Sequence, residues 1–462
     1  MNTLFLNLPL FDDVLEYHYD VILKNNIDKL IACGLVGSRC ETNITGNKLI
    51  CSHCKCKARA FALHVNKDII FIENLSNKDF SNSSISFEEI TENFLISLYR
   101  DEKHNNSSIV KKYKFHLRNY CNNLEKNINT YLKKNKVPCM YFFNARFPSG
   151  AAAKIALKEN NIPYVNYDLL AKKRITLSRD SAVLDPQSLL ENVNNELKDI
   201  PKKDIIDYGK KFIYSKLNNK FIAYEVFTKN QNLGALPDNL GSRYCVVFTS
   251  SEDEYKYFGS DLSFDLIDQF KEISFLIDSL EENIAIVVRL HPNQSGSKFE
   301  ENCLNKLRRE NGILKIIEGS SKISTYSLMQ NSLINITFGS STAVESILLK
   351  QRSVLIGRAI YDHVVKIPIF QSIEHLLQNK YHLFENIPIT KYEMYQAARW
   401  VSYVSGGFRN DNFSNKNIKL IISKNLFRWW AMDKYWRLVR LMNHPMPIAY
   451  KKSKKFIKGF FK

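Results

Sequence analysis

The sequence predicts an α/β protein built from two doubly wound blocks in series, followed by a helical basic tail. Three observations carry this. Apolar runs of strand length recur along the chain, as in Cys139-Met140-Tyr141-Phe142-Phe143 and Ile284-Ala285-Ile286-Val287-Val288. Helix-patterned segments separate them. The strand runs are apolar at successive positions rather than alternate ones, which belongs to parallel sheets covered by helices on both faces.

In the first block, residues 112–136 are basic and helix-like, and Val137 to Phe143 is a strand that ends in a polar turn at Asn144. Ser149 to Asn160 is Ala-rich with helical spacing, and Ile162 to Tyr167 is the next strand. Strand, helix, strand over so short a stretch is a βαβ unit, which implies parallel pairing. Residues 185–240 are polar and mostly helical, with Asn232 to Asn239 read as a linker. The second block has strands at Tyr244–Phe248, Ile284–Leu290, Ile313–Ile317, Leu333–Phe338 and Ser353–Ile356, with helices at Leu262–Leu280 and Thr342–Leu349. The expected domains are 1–235, 236–385 and a helical and basic amphipathic segment, 386–462. Two such blocks are expected to face each other across a cleft, with ligand at the carboxyl ends of the strands.

The chain has 462 residues, 45% of them apolar and 24% charged, which suits two packed domains and excludes general disorder. A formal charge of +18 favours acidic partners, but it is uneven: Phe427 to Lys462 carries many Lys and Arg and one acid, Asp433. No run approaches the roughly 20 apolar residues of a bilayer span, and Met1 to Leu6 lacks the basic start of a secretory signal. A cytoplasmic location is expected, with the nine cysteines as thiols or metal ligands rather than disulfides.

Two stretches carry chemistry. In Asn335 to Ser346, a strand runs into Gly339-Ser340-Ser341-Thr342 and a helix begins at once. Gly339 permits a tight turn, Ser341 or Thr342 can cap the helix, and the free N–H groups of a first turn suit a phosphate. Glu345, one turn on, could accept from ribose hydroxyls. The plain alternative is an ordinary capped helix. Ile284 to Leu290 is a buried strand that ends in Arg289, His291 and the helix-stopping Pro292. His291 stands where an α/β ligand binds and could donate to a phosphate; Arg289 could join it or lie along the apolar surface. Ser250 and Ser251, in Phe248 to Tyr255, also follow a strand and could serve the site or cap a helix.

Phe143-Asn144-Ala145-Arg146, Phe248-Thr249-Ser250-Ser251-Glu252-Asp253-Glu254, Arg289-Leu290-His291-Pro292 and Phe338-Gly339-Ser340-Ser341-Thr342-Ala343-Val344-Glu345 occur in that order. In these stretches the chain resembles bacterial capsular-polysaccharide and lipopolysaccharide glycosyltransferases of the GT-B fold, over roughly residues 135–365. The His-Pro and Gly-Ser-Ser/Thr pair also resembles bacterial sialyl-, Kdo- and glycerophosphate-transferring enzymes. The resemblance implies that His291 and Ser340 to Thr342 hold the donor phosphate and that Glu345 contacts the nucleoside. The chain departs from the pattern at Ala145, where the family has Gly, and at Asp168, where Glu is expected. A nucleotide-sugar donor and a saccharide or lipid-linked acceptor are the implied partners, and transfer needs no cofactor. Asp168 is the first candidate for the base that deprotonates the acceptor, with Asp13 and Glu16 behind it. Asn144 and Arg146 would line the acceptor side.

Cys33, Cys40, Cys51 and Cys54, with Cys56, cluster in the first block, and Cys51-Ser52-His53-Cys54 is a C-x-x-C pair. Cys33, Cys40, Cys51 and Cys54 could hold a structural zinc, or an iron–sulfur cluster, or remain buried thiols. The aromatic and cationic tail, Phe427 to Lys462, suits an anionic membrane surface, the inner face of the bacterial cytoplasmic membrane. A polyol-phosphate transferase would share the anion site. A metal-containing nucleic-acid-binding protein is the reading from another class. No recognised nucleic-acid motif occurs, and nucleic acid is not an expected partner.

Overall fold

A computed structural model describes residues 2–73, 87–99, 108–171, 174–182, 184–218, 231–241, 243–251, 268–280, 284–295, 298–307, 314–379 and 388–408. The described residues form two compact units, one of residues 2–95 and 108–166, the other of residues 96–99 and 167–408. Residue 235 lies between the last strand of one sheet and the first strand of the next. The basic tail, Phe427 to Lys462, lies outside the described residues.

The first sheet contains β1 (Asn2–Leu6), β2 (Ile27–Cys33), β3 (Asp68–Ile72), β4 (Met140–Phe143), β5 (Tyr164–Ala171) and β6 (Arg174–Arg179), in the order β3-β2-β1-β4-β5-β6. β1 pairs in parallel with β2 and with β4, and β2 with β3. The chain steps outward from β1 to β3 and then resumes on the other side of β1. This is the Rossmann order, and its topological switch point lies between the tips of β1 and β4. Its helices are α1 (Asp12–Lys24), α2 (Lys48–His64), α3 (Glu88–Tyr99), α4 (Ser108–Lys134) and α5 (Pro148–Glu159).

Side chains knit the switch point. The Phe143 N–H donates to Asn7 Oδ1 at 3.0 Å, and Asn7 Nδ2 donates back to the Phe143 carbonyl. His18 Nε2 donates to the Asn7 carbonyl at 3.0 Å. Pro148 opens α5 at a position whose N–H needs no partner. Gly150 then lets the helix press on the β4 tip: a Cβ there would stand 2.6 Å from the Asn144 carbonyl oxygen.

The cysteine patch departs from expectation. Gly34, Gly37 and Gly46 suggest loose loops around the C-x-x-C pair, yet Cys51, Cys54 and Cys56 lie on α2. Asn47 caps that helix by accepting the Leu49 N–H at 2.8 Å. Ile50, Ala58, Phe61 and Ala62 bury one face of it, so an apolar stripe overrides the cysteine spacing.

The second sheet contains β7 (Tyr244–Phe248), β8 (Ala285–Arg289), β9 (Leu314–Ile317), β10 (Asn335–Thr337), β11 (Ser353–Ile356) and β12 (Ile369–Phe370). Its order is β12-β11-β10-β7-β8-β9, and every neighbouring pair is parallel. It repeats the Rossmann order, with its switch point between β7 and β10. Both faces are covered. Tyr244, Val246 and Phe248 join one core with α6 (Pro186–Leu197), α7 (Lys202–Leu217), α10 (Thr325–Asn331), α11 (Thr342–Leu348) and α13 (Lys391–Ser405). Cys245 and Val247 join the other with α8 (Gln269–Ser279), α9 (Lys298–Lys306) and α12 (Ile373–Gln378). This is why β7 reads as continuously apolar. The two doubly wound Rossmann-type units expected from the sequence are thus present.

Asn232 to Asn239 is not a free linker. The Asn232 N–H donates to the Lys322 carbonyl at 2.8 Å, and the Ser324 N–H donates to the Ala235 carbonyl at 3.1 Å, which straps the stretch to the turn before α10.

His18 supplies a pH test of the β1–β4 clamp. Burial pulls its imidazole down from 6.5 to about 4. Between those values the unfolded chain binds a proton that the folded chain refuses, so stability is whole above pH 6.5 and is lost as pH falls toward 4. At about 1.4 kcal/mol per pKa unit the loss is about 3 kcal/mol. Urea midpoints measured across that range should show it, and His18→Gln should flatten the slope.

Candidate functional site

The carboxyl edge of the second sheet is held by polar side chains. Thr249, directly after β7, donates its N–H to the Arg289 carbonyl at 3.2 Å, extending the β7–β8 pairing by one bond. Its hydroxyl donates to Gln294 Oε1 at 2.8 Å and accepts the His291 N–H at 2.8 Å. His291, directly beyond Leu290 at the β8 tip, caps the 3₁₀ turn Pro292–Gln294, and Gln294 completes a capping box. The Asn293 N–H donates to His291 Nδ1 at 3.2 Å. That contact makes Nδ1 the acceptor, so the neutral ring carries its proton on Nε2. His291 is partly exposed at the strand tips.

Ser250 and Ser251 are buried. Gln269, at the start of α8, accepts the Ser250 N–H at 2.8 Å and donates to the Ser250 carbonyl at 3.1 Å. Gly339 follows β10 with φ +79, the turn geometry expected of it. The helix then starts with Ser341 as N-cap but without a side-chain cap bond. The Ala343 and Val344 N–H groups donate to the Ser340 and Ser341 carbonyls, both at 3.1 Å, and the Thr342 N–H meets Ser340 Oγ at 3.4 Å. The turn satisfies most of its own first-turn donors. Thr342 Oγ1 is buried without a hydrogen-bond partner among the described residues.

His291 and the Gly339–Thr342 turn do not follow adjacent strands, because β7 runs between β8 and β10. At about 4.8 Å per strand the two tips are about 10 Å apart, and the Thr249–Ser251 turn occupies the centre.

Two residues read as donor ligands have partners within the unit. Arg289 is buried, and burial pulls its guanidinium down to about 10, still charged at neutral pH. It donates to the Glu318 carbonyl at 2.9 Å and the Ser321 carbonyl at 3.1 Å, which fixes the turn after β9. Glu345 Oε1 accepts Lys216 Nζ at 2.8 Å, and Oε2 accepts the Tyr326 hydroxyl at 3.0 Å. In the Lys216–Glu345 pair the carboxylate is buried and the ammonium partly buried.

In the first sheet, Asn144 has φ 43 and its Oδ1 accepts the N–H and Nε–H of Arg146, each at 3.0 Å. Asp168 is not at a strand end: β5 continues to Ala171, because Leu169-Leu170-Ala171 extends the apolar run. Its Oδ1 accepts the Leu169 N–H at 2.7 Å. Cys33, Cys40, Cys51 and Cys54 border one small cavity beyond the β1 and β2 tips. Burial pushes the Cys33 thiol up to about 11 and raises those of Cys40 and Cys54 as well. Cys51 Sγ accepts from the Gly37 N–H at 3.3 Å and Asn43 Nδ2 at 3.2 Å. Among the described residues, no group of three or more His, Cys, Asp or Glu is arranged to hold a metal ion.

The sequence reading did not single out Asn7, Glu41, Thr249, Gln269 or Gln294. Gln294 alone carried a readable signal, the capping-box spacing from His291. The others act through contacts distant in sequence.

The fold and its two sheet edges define a class: an α/β protein of two Rossmann-type units, each with polar side chains gathered at its switch point. No protein-family model matches the chain, and no curated relative does. Among solved structures it is similar to the beta Kdo 2,4 transferase KpsC of Thermosulfurimonas dismutans, at 14% identity and a TM-score of 0.37, over 57% of this chain and 79% of that one. It is also similar to UDP-GlcNAc 2-epimerase of Methanocaldococcus jannaschii in complex with UDP-GlcNAc and UDP, at 12% identity and a TM-score of 0.31, over 88% of this chain and 99% of that one. The enzyme of that name from Neisseria meningitidis, bound to UDP-GlcNAc, matches at 12% identity and a TM-score of 0.27, over 87% and 98%.

The Lys216–Glu345 pair yields a stability test. Truncating Glu345 strands the partly buried Lys216 ammonium, which costs about 1–3 kcal/mol, below the figure for a fully buried pair. Glu345→Ala should lower the unfolding free energy by that amount in urea titrations, and Lys216→Met with Glu345→Leu together should recover most of it.

Proposed function

We propose that this chain is a glycosyltransferase that moves a sugar from a nucleotide-activated donor to a surface-polysaccharide or lipid-linked acceptor. The observation that carries the reading is His291: its Nδ1 accepts the Asn293 N–H, which puts the neutral ring's proton on Nε2, in a partly exposed side chain at the carboxyl edge of a fully parallel sheet beside the switch point. Ligands of open α/β sheets bind there. In this reading the donor's phosphate lies over the Thr249–Ser251 turn, between His291 and the Ser340–Thr342 turn. As the glycosidic bond breaks, negative charge grows on the leaving phosphate, and a preorganised donor stabilises that charge more than the ground state. Thr249 and Gln294 hold His291 in place. Arg289 acts indirectly by fixing the turn after β9, and Glu345 by bracing α11 against α7. The basic, aromatic segment from Phe427 to Lys462 would rest on an anionic membrane surface, which suits a lipid-linked acceptor.

Incubation with a panel of CMP-, UDP- and GDP-sugars and CDP-polyols, followed by mass spectrometry of released nucleotide, tests the class. His291→Ala should lower turnover of the active donor by about 100-fold or more, the usual cost of one lost donor to a developing oxyanion, while the melting temperature stays within a few degrees. Full turnover in that variant would refute the donor-site assignment. Release from CDP-polyols alone would move the activity to polyol-phosphate transfer.

A further inference from the structure

The first sheet has a site of its own where a doubly wound sheet binds its ligand. Beyond the tips of β1 and β2, Asn7, Cys33, Glu41, Cys51, Cys54 and Ser149 border a cavity of about 40 Å³, room for about three water-sized groups. Asn7 is the residue that clamps β1 to β4, so the cavity adjoins the switch point. Glu41 is 7% exposed and Ser149 is 3% exposed.

Glu41 is only half satisfied. Its Oε1 accepts the Ser149 N–H at 3.1 Å, in the first turn of α5. Its Oε2 is buried with no hydrogen-bond partner among the described residues, and so is Ser149 Oγ. Burial raises the Glu41 carboxyl above its ordinary range, hydrogen bonding from Ser149 opposes that rise, and the Ser149 hydroxyl itself lacks hydrogen-bond geometry. Buried polar atoms are nearly always satisfied, and an exception at a cavity wall points to a ligand atom.

The lining narrows the ligand's chemistry. Burial keeps the Cys33 and Cys54 thiols protonated and uncharged at neutral pH. Lys55 also borders the cavity, but its ammonium is paired with Glu73 at 2.8 Å. Among the described lining residues no unpaired cation stands beside the carboxyl, which disfavours phosphate. A carboxyl accepts when ionised and can also donate when burial keeps its proton on, and a serine hydroxyl donates or accepts. A hydroxyl group, donor and acceptor at once, answers both in so small a space.

We propose that this cavity binds a hydroxyl group of a neutral saccharide or polyol, held between Glu41 Oε2 and Ser149 Oγ. Taking that molecule as the transfer acceptor rests on the transferase reading above; the hydroxyl site itself rests on the cavity alone.

The test is isothermal titration of the full chain with glycerol and the methyl glycosides of glucose, galactose and N-acetylglucosamine, with UMP and CMP titrated into the same preparations. At least one neutral probe should bind saturably. Glu41→Gln and Ser149→Ala should each weaken it tenfold or more and leave nucleotide affinity unchanged. Ser149→Ala removes one atom and none of the backbone contacts, so it stays informative if the Glu41 variant misfolds. Failure of every neutral probe to bind the unmodified chain, or equal binding by it and both variants, would overturn the site. Glycoside binding without nucleotide binding would sink the transferase reading and leave the hydroxyl site standing; nucleotide binding without glycoside binding would do the reverse.

Discussion

Where parallel strands end, their last N–H and C=O groups lose the ladder and must find other partners before they can be buried. That constraint organises both units. In the first, the Asn7 amide bonds both backbone groups of Phe143, and Asn166 Oδ1 accepts the Ala145 N–H at 3.1 Å. In the second, the Thr249 hydroxyl takes the His291 N–H, and Gln269 takes both backbone groups of Ser250. Glu300 does the same for the Gly319 N–H at 2.9 Å. Each polar side chain closes a gap that water would fill at an exposed edge.

The same constraint makes these edges suited to ligands. Side chains that hold strand tips are themselves held, so their remaining donors and acceptors are fixed in direction. Preorganisation of that kind is what transition-state stabilisation requires. His291 illustrates it: one ring nitrogen and the backbone N–H are spent on structure, which orients the other nitrogen. Arg289 and Glu345 mark the opposite outcome. Their charged groups meet carbonyls, an ammonium and a phenol inside the unit, and the rigidity they supply reaches the edge through backbone.

Much of the second sheet was legible because its strands are apolar on both faces and its helices are short and regular. β7, β8, β10 and β11 fall within a residue or two of the expected runs. The first sheet was less legible. β1, β2 and β3 sit among cysteines, glycines and polar residues, and α2 reads as cysteine-rich before it reads as amphipathic. The charged Asp168 interrupts the apolar run after Tyr167 and suggests a strand end, yet Leu169-Leu170-Ala171 resumes the run and the strand continues three residues past it. Nothing local in the sequence distinguishes Glu41. Its partner, Ser149, lies 108 positions away.

The sequence by itself determined the parallel, two-faced character of the strands, the positive-φ turn at Gly339 and the capping of the short turn after His291. These depend on hydrophobic period and on local backbone sterics, which act over a few residues. The tertiary structure alone decided the strand order, and with it that β7 separates the His291 and Ser341 tips. It alone decided which polar groups found partners and which, like Glu41 Oε2, did not. Pairing order and hydrogen-bond satisfaction are long-range properties, set by which strands and helices compete for the same buried space.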